Sequence, residues 1–393
     1  MRIGILTLHD SPNYGALLQA YALRRHLESL GHRVSVIDRR RRPDGRALRG
    51  PMPGSGRFRP WGLLNLDAHD GAAEYGRRRR RTLRFQSERL GLTSFHFHEW
   101  RKAPADLGLD AIVVGSDQVW NPNNHDPADY LPGRIPIGVP TLSYAASVGT
   151  DRFPADREAA VCRGLAALRG IGVREQAAAD LVGRLGLRAE TVVDPVLLAG
   201  TEVWSDLLAD RRADGGKVLF YFLAEDFAAL RPQAVAYARS CGARAVFFVD
   251  RLLRPAPEGW KGWWRNWQDE RRWHDDGTEL RLDAGPEEFL RELAGADAVV
   301  SNSYHALMFS LLFGKTVRIV LPTHPRRRQM NMRLTEAARA FSEGQVVCPD
   351  LSAALDSLFR GDKIVIRQEE IAAARTFSAS WLSARLEEIE RRR

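Results

Sequence analysis

Three side chains and one glycine turn in this sequence stand where chemistry is usually done, at the ends of apolar runs. His305 lies in Ser301-Asn302-Ser303-Tyr304-His305-Ala306, just after a run that ends at Val300 and in the first turn of a helical pattern. An imidazole there, with an anion beside it, stays protonated and can donate a proton. Asp117 follows Val114 in Gly115-Ser116-Asp117-Gln118-Val119-Trp120-Asn121-Pro122. It can take a proton from a hydroxyl or cap a helix that starts after Gly115, and the residues weigh these equally. Arg174 follows Val173 and can clamp a phosphate or carboxylate bidentately, or pair with Glu175 or another carboxylate. Asn13, Tyr14 and Gly15, after the first apolar run, can present backbone donors to a substrate or form an ordinary β-to-α turn. Each segment alone reads as turn chemistry; several at equivalent places read as a site. No histidine, cysteine or carboxylate cluster has metal-ligand spacing, so no metal is expected.

Positioning these residues requires strands that end together. Apolar runs alternate with helical periodicities, the pattern of parallel sheets with crossover helices. Ile3–Thr7 reads as a strand and Gly15–Leu30 as a helix with Leu17, Ala20, Leu23, Leu27 and Leu30 at helical spacing, closed by Gly31. Asp110–Val114, Thr141–Ala145, Ile171–Val173 and Glu190–Val193 continue the first series. After a polar link at 210–216, Val218–Leu223, Ala245–Val249, Ala298–Ser301 and Val317–Leu321 form a second, with helices near Ala228–Ser240, Pro286–Ala294, Tyr304–Phe313 and Arg333–Phe341. The expected fold is α/β: two doubly wound, Rossmann-like domains (1–200, with an Arg-rich insertion at 39–105, and 201–365) flanking a cleft. A helix within 366–393 is placed to pack back on the first domain. In such sheets ligands bind beyond the carboxyl ends of the strands.

Composition narrows the class. The 393 residues are 44% hydrophobic and 27% charged, ordinary for a globular protein. No run approaches the roughly 18 apolar residues of a membrane span, no secretory leader pattern opens the chain, and three scattered cysteines suggest no disulfide framework; the expected location is cytoplasmic. The net charge of +9 is matched by one segment, where thirteen arginines from Arg39 to Arg81 face four acids. Cations gathered in two blocks, Arg39–Arg42 and Arg77–Arg81, rather than over a face with interleaved aromatics, argue against nucleic acid. The segment reads either as a solvated loop or as a flap for an anionic lipid surface, a lipid-linked diphosphate or an acidic saccharide. Trp260, Trp264 and Trp267 share one helical face in Gly259–Trp273, suited to a sugar platform, to a core or subunit contact, or to a membrane interface.

The blocks NYGALLQAYAL (Asn13–Leu23), DAIVVGSDQVWNP (Asp110–Pro122), SYAASVG (Ser143–Gly149), VREQ (Val173–Gln176), DPVLL (Asp194–Leu198) and SNSYHALMFSLLFGK (Ser301–Lys315) resemble, in content and order, the polysaccharide pyruvyl transferase family. The resemblance implies a fold like the GT-B glycosyltransferases. It also implies transfer of a pyruvyl group from phosphoenolpyruvate, a co-substrate rather than a cofactor, to hydroxyls of a saccharide or lipid-linked saccharide. His305 becomes the leading proton donor and Asp117 its partner. Arg174, Ser303, Tyr304, Lys315 and Arg326 become candidate donor contacts. Asn13, Tyr14, Gly15, Ser116, Gln118, Trp120, Trp264 and Trp267 become candidate acceptor contacts. Some members carry arginine two residues before the histidine, where this chain has Ser303; Lys315 or Arg326–Arg328 could supply that charge. Two competing readings are a nucleotide-sugar glycosyltransferase on the same architecture and a non-catalytic sugar-binding or scaffold protein of a glycan assembly complex. The oligomeric state is not legible.

Overall fold

The computed structural model describes residues 1–10, 13–39, 69–93, 107–209, 216–223, 227–249, 278–322 and 331–392. Arg326, Trp264 and Trp267 lie outside the described residues, as do Arg40–Arg42 and the rest of the tryptophan-rich segment.

The strands, in chain order, are β1 Arg2–Leu6, β2 Arg33–Val36, β3 Ala111–Val114, β4 Thr141–Ala146, β5 Ile171–Val173, β6 Glu190–Thr191, β7 Lys217–Phe222, β8 Arg244–Val249, β9 Glu279–Leu280, β10 Ala298–Ser301, β11 Thr316–Val320, β12 Ser342–Glu343, β13 Val347–Cys348 and β14 Val365–Ile366. They form two six-stranded sheets, ordered β2-β1-β3-β4-β5-β6 and β13-β11-β10-β7-β8-β9. Every pairing within both sheets is parallel. β12 and β14 make a small antiparallel pair apart from them. The central strands are apolar runs because helices cover both sheet faces: Ile3, Ile5, Val113, Val299 and Val300 are all fully buried.

Each sheet reverses direction once, between β1 and β3 in the first and between β7 and β10 in the second. The helix Tyr14–Ser29 leaves β1 at the first switch point, and Tyr304–Leu312 leaves β10 at the second. Loops at such points are where doubly wound sheets hold ligands.

The two units share one core. Tyr14, at the start of the first helix, stacks on Phe289 of the helix Pro286–Gly295 with ring centroids 4.8 Å apart. Its hydroxyl donates to the Ala284 carbonyl at 3.0 Å. The C-terminal helix Gln368–Arg391 lies against the first sheet: Ser378 Oγ accepts from Val193 N at 3.0 Å, and Arg375 Nε donates to the Leu198 carbonyl at 2.9 Å.

The second arginine block is not a loop. Arg77–Arg81 sit inside a 21-residue helix, His69–Arg89, which reaches onto the second unit. Arg81 meets Asp283 at 2.9 Å and Glu288 at 3.3 Å, Arg77 meets Asp283 at 3.4 Å, and Arg89 meets Glu287 at 3.0 Å. Arg78 is buried with its guanidinium carbon 4.7 Å above the Tyr14 ring. The acids that receive this helix surround the N-terminus of Pro286–Gly295, where they also complement its dipole.

Candidate active site

The site is built from strand ends. After β10, Ser301, Asn302 and Ser303 hold the chain so that a helix can start at once. Ser301 Oγ accepts from Ser303 N at 3.0 Å. The Asn302 side chain ties back to Leu223 beyond β7, accepting from its N at 2.6 Å and donating to its O at 3.1 Å. Ser303 caps the helix by accepting from Ala306 N at 3.5 Å. Tyr304 and His305 therefore fill the first helical turn and point at the first unit.

Facing them is the seam-side edge of the first sheet. Gly115 has φ +111°, and a Cβ there would collide with the Tyr144 carbonyl, so only glycine closes this turn. Asp117 follows with φ +67°, a left-handed conformation that aspartate tolerates. Its carbonyl accepts from Ser147 N at 2.9 Å and Val119 N at 2.8 Å. No helix starts after Gly115, so the capping role is excluded and the carboxylate is free to face the seam. Arg174 leaves β5 and Asp194 follows β6.

These groups converge. Arg174 donates from Nη1 to Asp194 Oδ2 at 2.9 Å, with Asp117 Oδ1 3.6 Å from Nη2 and Glu175 Oε2 3.7 Å from Nε. Its guanidinium carbon lies 4.1 Å over the Tyr304 ring. His305 Nε2 is 3.7 Å from the same Asp194 oxygen. Asp194 Oδ1 meanwhile caps the helix Pro195–Ala199 by accepting from Val196 N at 3.0 Å, which fixes the carboxylate's direction. Glu175 Oε1 holds Ser147 Oγ at 2.6 Å and Val148 N at 3.2 Å.

The seam is tight. Arg174 and His305 are 6% and 5% exposed, so the cleft is closed around them rather than open as a groove. Gly15 makes that closeness possible, because a Cβ there would overlap the His305 ring. Yet Arg174 Nε, Arg174 Nη2, His305 Nε2 and Glu175 Oε2 are buried without a hydrogen-bond partner. Four such atoms within one cluster, in ion-pair contact at 3.6–3.7 Å but short of hydrogen bonding, leave hydrogen-bonding capacity in the seam.

Charge follows from this packing. Burial is the largest influence on His305 and lowers its pKa, outweighing the carboxylates of Asp194 and Asp117 that favour the imidazolium. Burial acts to raise the Asp117 pKa, but His305, Arg174 and Arg333 together outweigh it and hold the carboxyl below its usual value. The tyrosine hydroxyl of Tyr304 is pushed up, chiefly by burial, and stays neutral.

Other expected contacts fall elsewhere. Trp120 is fully buried in the core of the first unit, so its ring offers no face to a sugar. Lys315 precedes β11, whose first residue Thr316 pairs with Ala298 at the start of β10; it lies at the sheet end opposite His305 and cannot supply a charge beside it. Ser303 works as a cap. Ser116 Oγ accepts from the Asp117 amide at 2.5 Å, and the Ser116 carbonyl accepts from Thr7 at 2.9 Å, so this residue shapes the turn. Asn13 Oδ1 caps its helix by accepting from Ala16 N at 3.3 Å, and Tyr14 bridges the units through its ring. Gln118 does reach the seam, with its carboxamide 3.0 Å from Arg333 Nη2.

Two members of the cluster were not expected. Asp194 stands in the DPVLL block after a strand, a position that signalled its place but not its partners. Arg333 comes from the helix Asn331–Phe341, and its guanidinium carbon lies 5.4 Å from the Tyr304 ring centroid. Among the described residues no group of three or more histidines, cysteines or carboxylates could hold a metal, and no helix is long and apolar enough to cross a membrane.

Comparison with known proteins follows the same lines. The UDP-GlcNAc 2-epimerase of Neisseria meningitidis, solved with UDP-GlcNAc, superposes with a TM-score of 0.52 at 10% identity, covering 99% of this chain and 100% of that one. The Escherichia coli heptosyltransferase WaaC with ADP gives 0.44 at 14% identity, over 96% and 100% of the two chains. The UDP-GlcNAc 2-epimerase of Methanocaldococcus jannaschii gives 0.48 at 10% identity, over 92% of each. At 10% identity the likeness to the Neisseria enzyme is one of fold alone: the two-domain, GT-B-like architecture. Among curated proteins no sequence match is found. The profile named polysaccharide pyruvyl transferase matches residues 13–324, from the glycine turn that admits His305 to the segment beyond β11. The residues it spans include Asp117, Arg174, Asp194 and His305, and the chain belongs to the polysaccharide pyruvyl transferase family.

Proposed function

We propose that this seam transfers a pyruvyl group from phosphoenolpyruvate to two hydroxyls of a saccharide or lipid-linked saccharide, forming a ketal and releasing phosphate. The observation that carries the reading is the meeting of His305 and Arg174 at one Asp194 oxygen across the two units, each with buried nitrogens that make no hydrogen bond to protein. A donor bearing phosphate and carboxylate offers acceptors for those atoms.

The chemistry takes two protons from hydroxyls and places one on carbon and one on phosphate. His305, protonated, gives a proton to the methylene carbon of the donor, which becomes the methyl group. The adjacent carbon takes up positive charge and is attacked by a first hydroxyl. Its bond to the phosphate oxygen then breaks, phosphate departs, and the second hydroxyl closes the ketal. The two hydroxyl protons balance the one placed on carbon and the one carried away by phosphate. Asp117, ionised, faces Nη2 of Arg174 while Asp194 holds Nη1, and is suited to accept a hydroxyl proton. Arg174 neutralises the donor's charge as phosphate leaves. Asp194 sets both partners at once, since one of its oxygens faces Arg174 and His305 together.

The experiment is mass spectrometry of candidate saccharide acceptors incubated with protein and phosphoenolpyruvate. A gain of one pyruvate less one water is the expected product. Turnover with a nucleotide sugar and none with phosphoenolpyruvate would overturn the reading.

A further inference from the structure

Arg333 is a second cation at the seam, close enough to Asp117 and Glu175 to feel their charge but not paired with either. Among the described residues no carboxylate lies within ion-pair distance of it, whereas Arg174 touches three. Its Nε is buried without a hydrogen-bond partner, and its Nη2 is 3.0 Å from the neutral Gln118 carboxamide. The helix that carries it is pinned to the first unit one turn further on, where Glu336 Oε2 accepts from Gln176 N at 3.0 Å. Arg174 and Arg333 both lean on the Tyr304 ring, at 4.1 and 5.4 Å, so a buried guanidinium and a partly exposed one are brought to the same ring. Burial first and the Arg174 charge second pull the Arg333 pKa down to about 10, against the Asp117 and Glu175 carboxylates. An anion placed between the two guanidiniums would take charge-assisted hydrogen bonds from both.

Resting on the pyruvyl-transfer reading, we propose that Arg333 is a donor-anchoring residue that, with Arg174, binds the phosphate group of phosphoenolpyruvate and selects for it over a simple carboxylate. Four nitrogens in the seam make no hydrogen bond: Nε and Nη2 of Arg174, Nε of Arg333 and Nε2 of His305. A phosphate dianion has three terminal oxygens and two charges to meet them, whereas a carboxylate has two oxygens and one charge. The arginine fork suits this geometry better than lysine would.

The test is calorimetric binding of phosphoenolpyruvate, inorganic phosphate and pyruvate to the full chain carrying Arg333→Gln or Arg333→Lys. Arg333→Gln should weaken phosphoenolpyruvate and inorganic phosphate by at least about tenfold, as expected when a charge-assisted hydrogen bond is lost, and leave pyruvate within about twofold. Arg333→Lys should recover part of the loss. A general distortion of the seam would weaken all three ligands alike, and that result overturns the assignment. So does unchanged phosphate binding in either variant. Wild-type protein that binds neither phosphoenolpyruvate nor phosphate overturns the pyruvyl-transfer reading itself, which separates the two failures; if Arg333→Gln does not fold, the Arg333→Lys titration alone decides.

Discussion

The role proposed for His305 depends on what surrounds it. In the unliganded protein burial depresses its pKa below the ordinary 6.5, so at neutral pH the ring is neutral. A dianionic donor reverses that balance by favouring the charged form. The sign is fixed: a pKa lower in the free protein than in the complex means that binding takes up a proton and strengthens as pH falls. Between the two pKa values affinity should drop by up to about tenfold per pH unit as pH rises; a flat profile would remove the proton donor from the scheme. His305→Gln should cut turnover by about 10²–10⁴, the range for a general acid, while circular dichroism stays native. Gly15→Ala is a sharper probe. In an exposed helix the change would stabilise by about 0.5–1 kcal/mol, but here the methyl overlaps the His305 ring. We expect turnover to fall at least about tenfold because the ring is displaced, and unchanged turnover would show that its placement is not critical. His305, Asp117 and Arg174 were legible as strand-end residues. Arg333 was not, because its helix carries no motif, and a sequence cannot tell which of many arginines arrives in a seam.

The elements were legible where periodicity is strong. The helices after β1 and β10 and the long apolar strands follow from the spacing of buried residues. β9 and β13 are two residues each and carry no period to read. The helix His69–Arg89 was missed because its pattern is of charge. It buries Phe85 and the stem of Arg78 and satisfies much of its length with ion pairs to the second unit. Such pairs are half-exposed and each is worth about 0–1 kcal/mol. Asp283 receives two of them, from Arg77 and Arg81. Asp283→Ala should therefore lower the melting temperature by only a few degrees, with the loss shrinking at high salt as the pairs are screened; a salt-independent loss would assign the effect to packing instead.

At the scale of the molecule, a donor reaches His305 and Arg174 only if the two units part, since both side chains are nearly inaccessible. Hinged separation of two α/β domains is a familiar way to admit and then enclose a ligand. Hydrogen exchange at Tyr14–Ala16 and Tyr304–Leu307, on the two sides of the seam, should slow when phosphoenolpyruvate binds and speed up in Asp283→Ala; exchange indifferent to both would argue against opening there. Two parallel sheets were readable from alternation alone, but that their switch points meet face to face is a property of the packed pair, fixed by Tyr14 and the shared core. The most direct measurement of the account is titration of the protein with phosphoenolpyruvate at neutral pH in two buffers of different ionisation enthalpy. The account predicts binding with uptake of about one proton, and loss of that uptake in His305→Gln. Binding with no proton uptake, or no binding while a nucleotide sugar does bind, would contradict it.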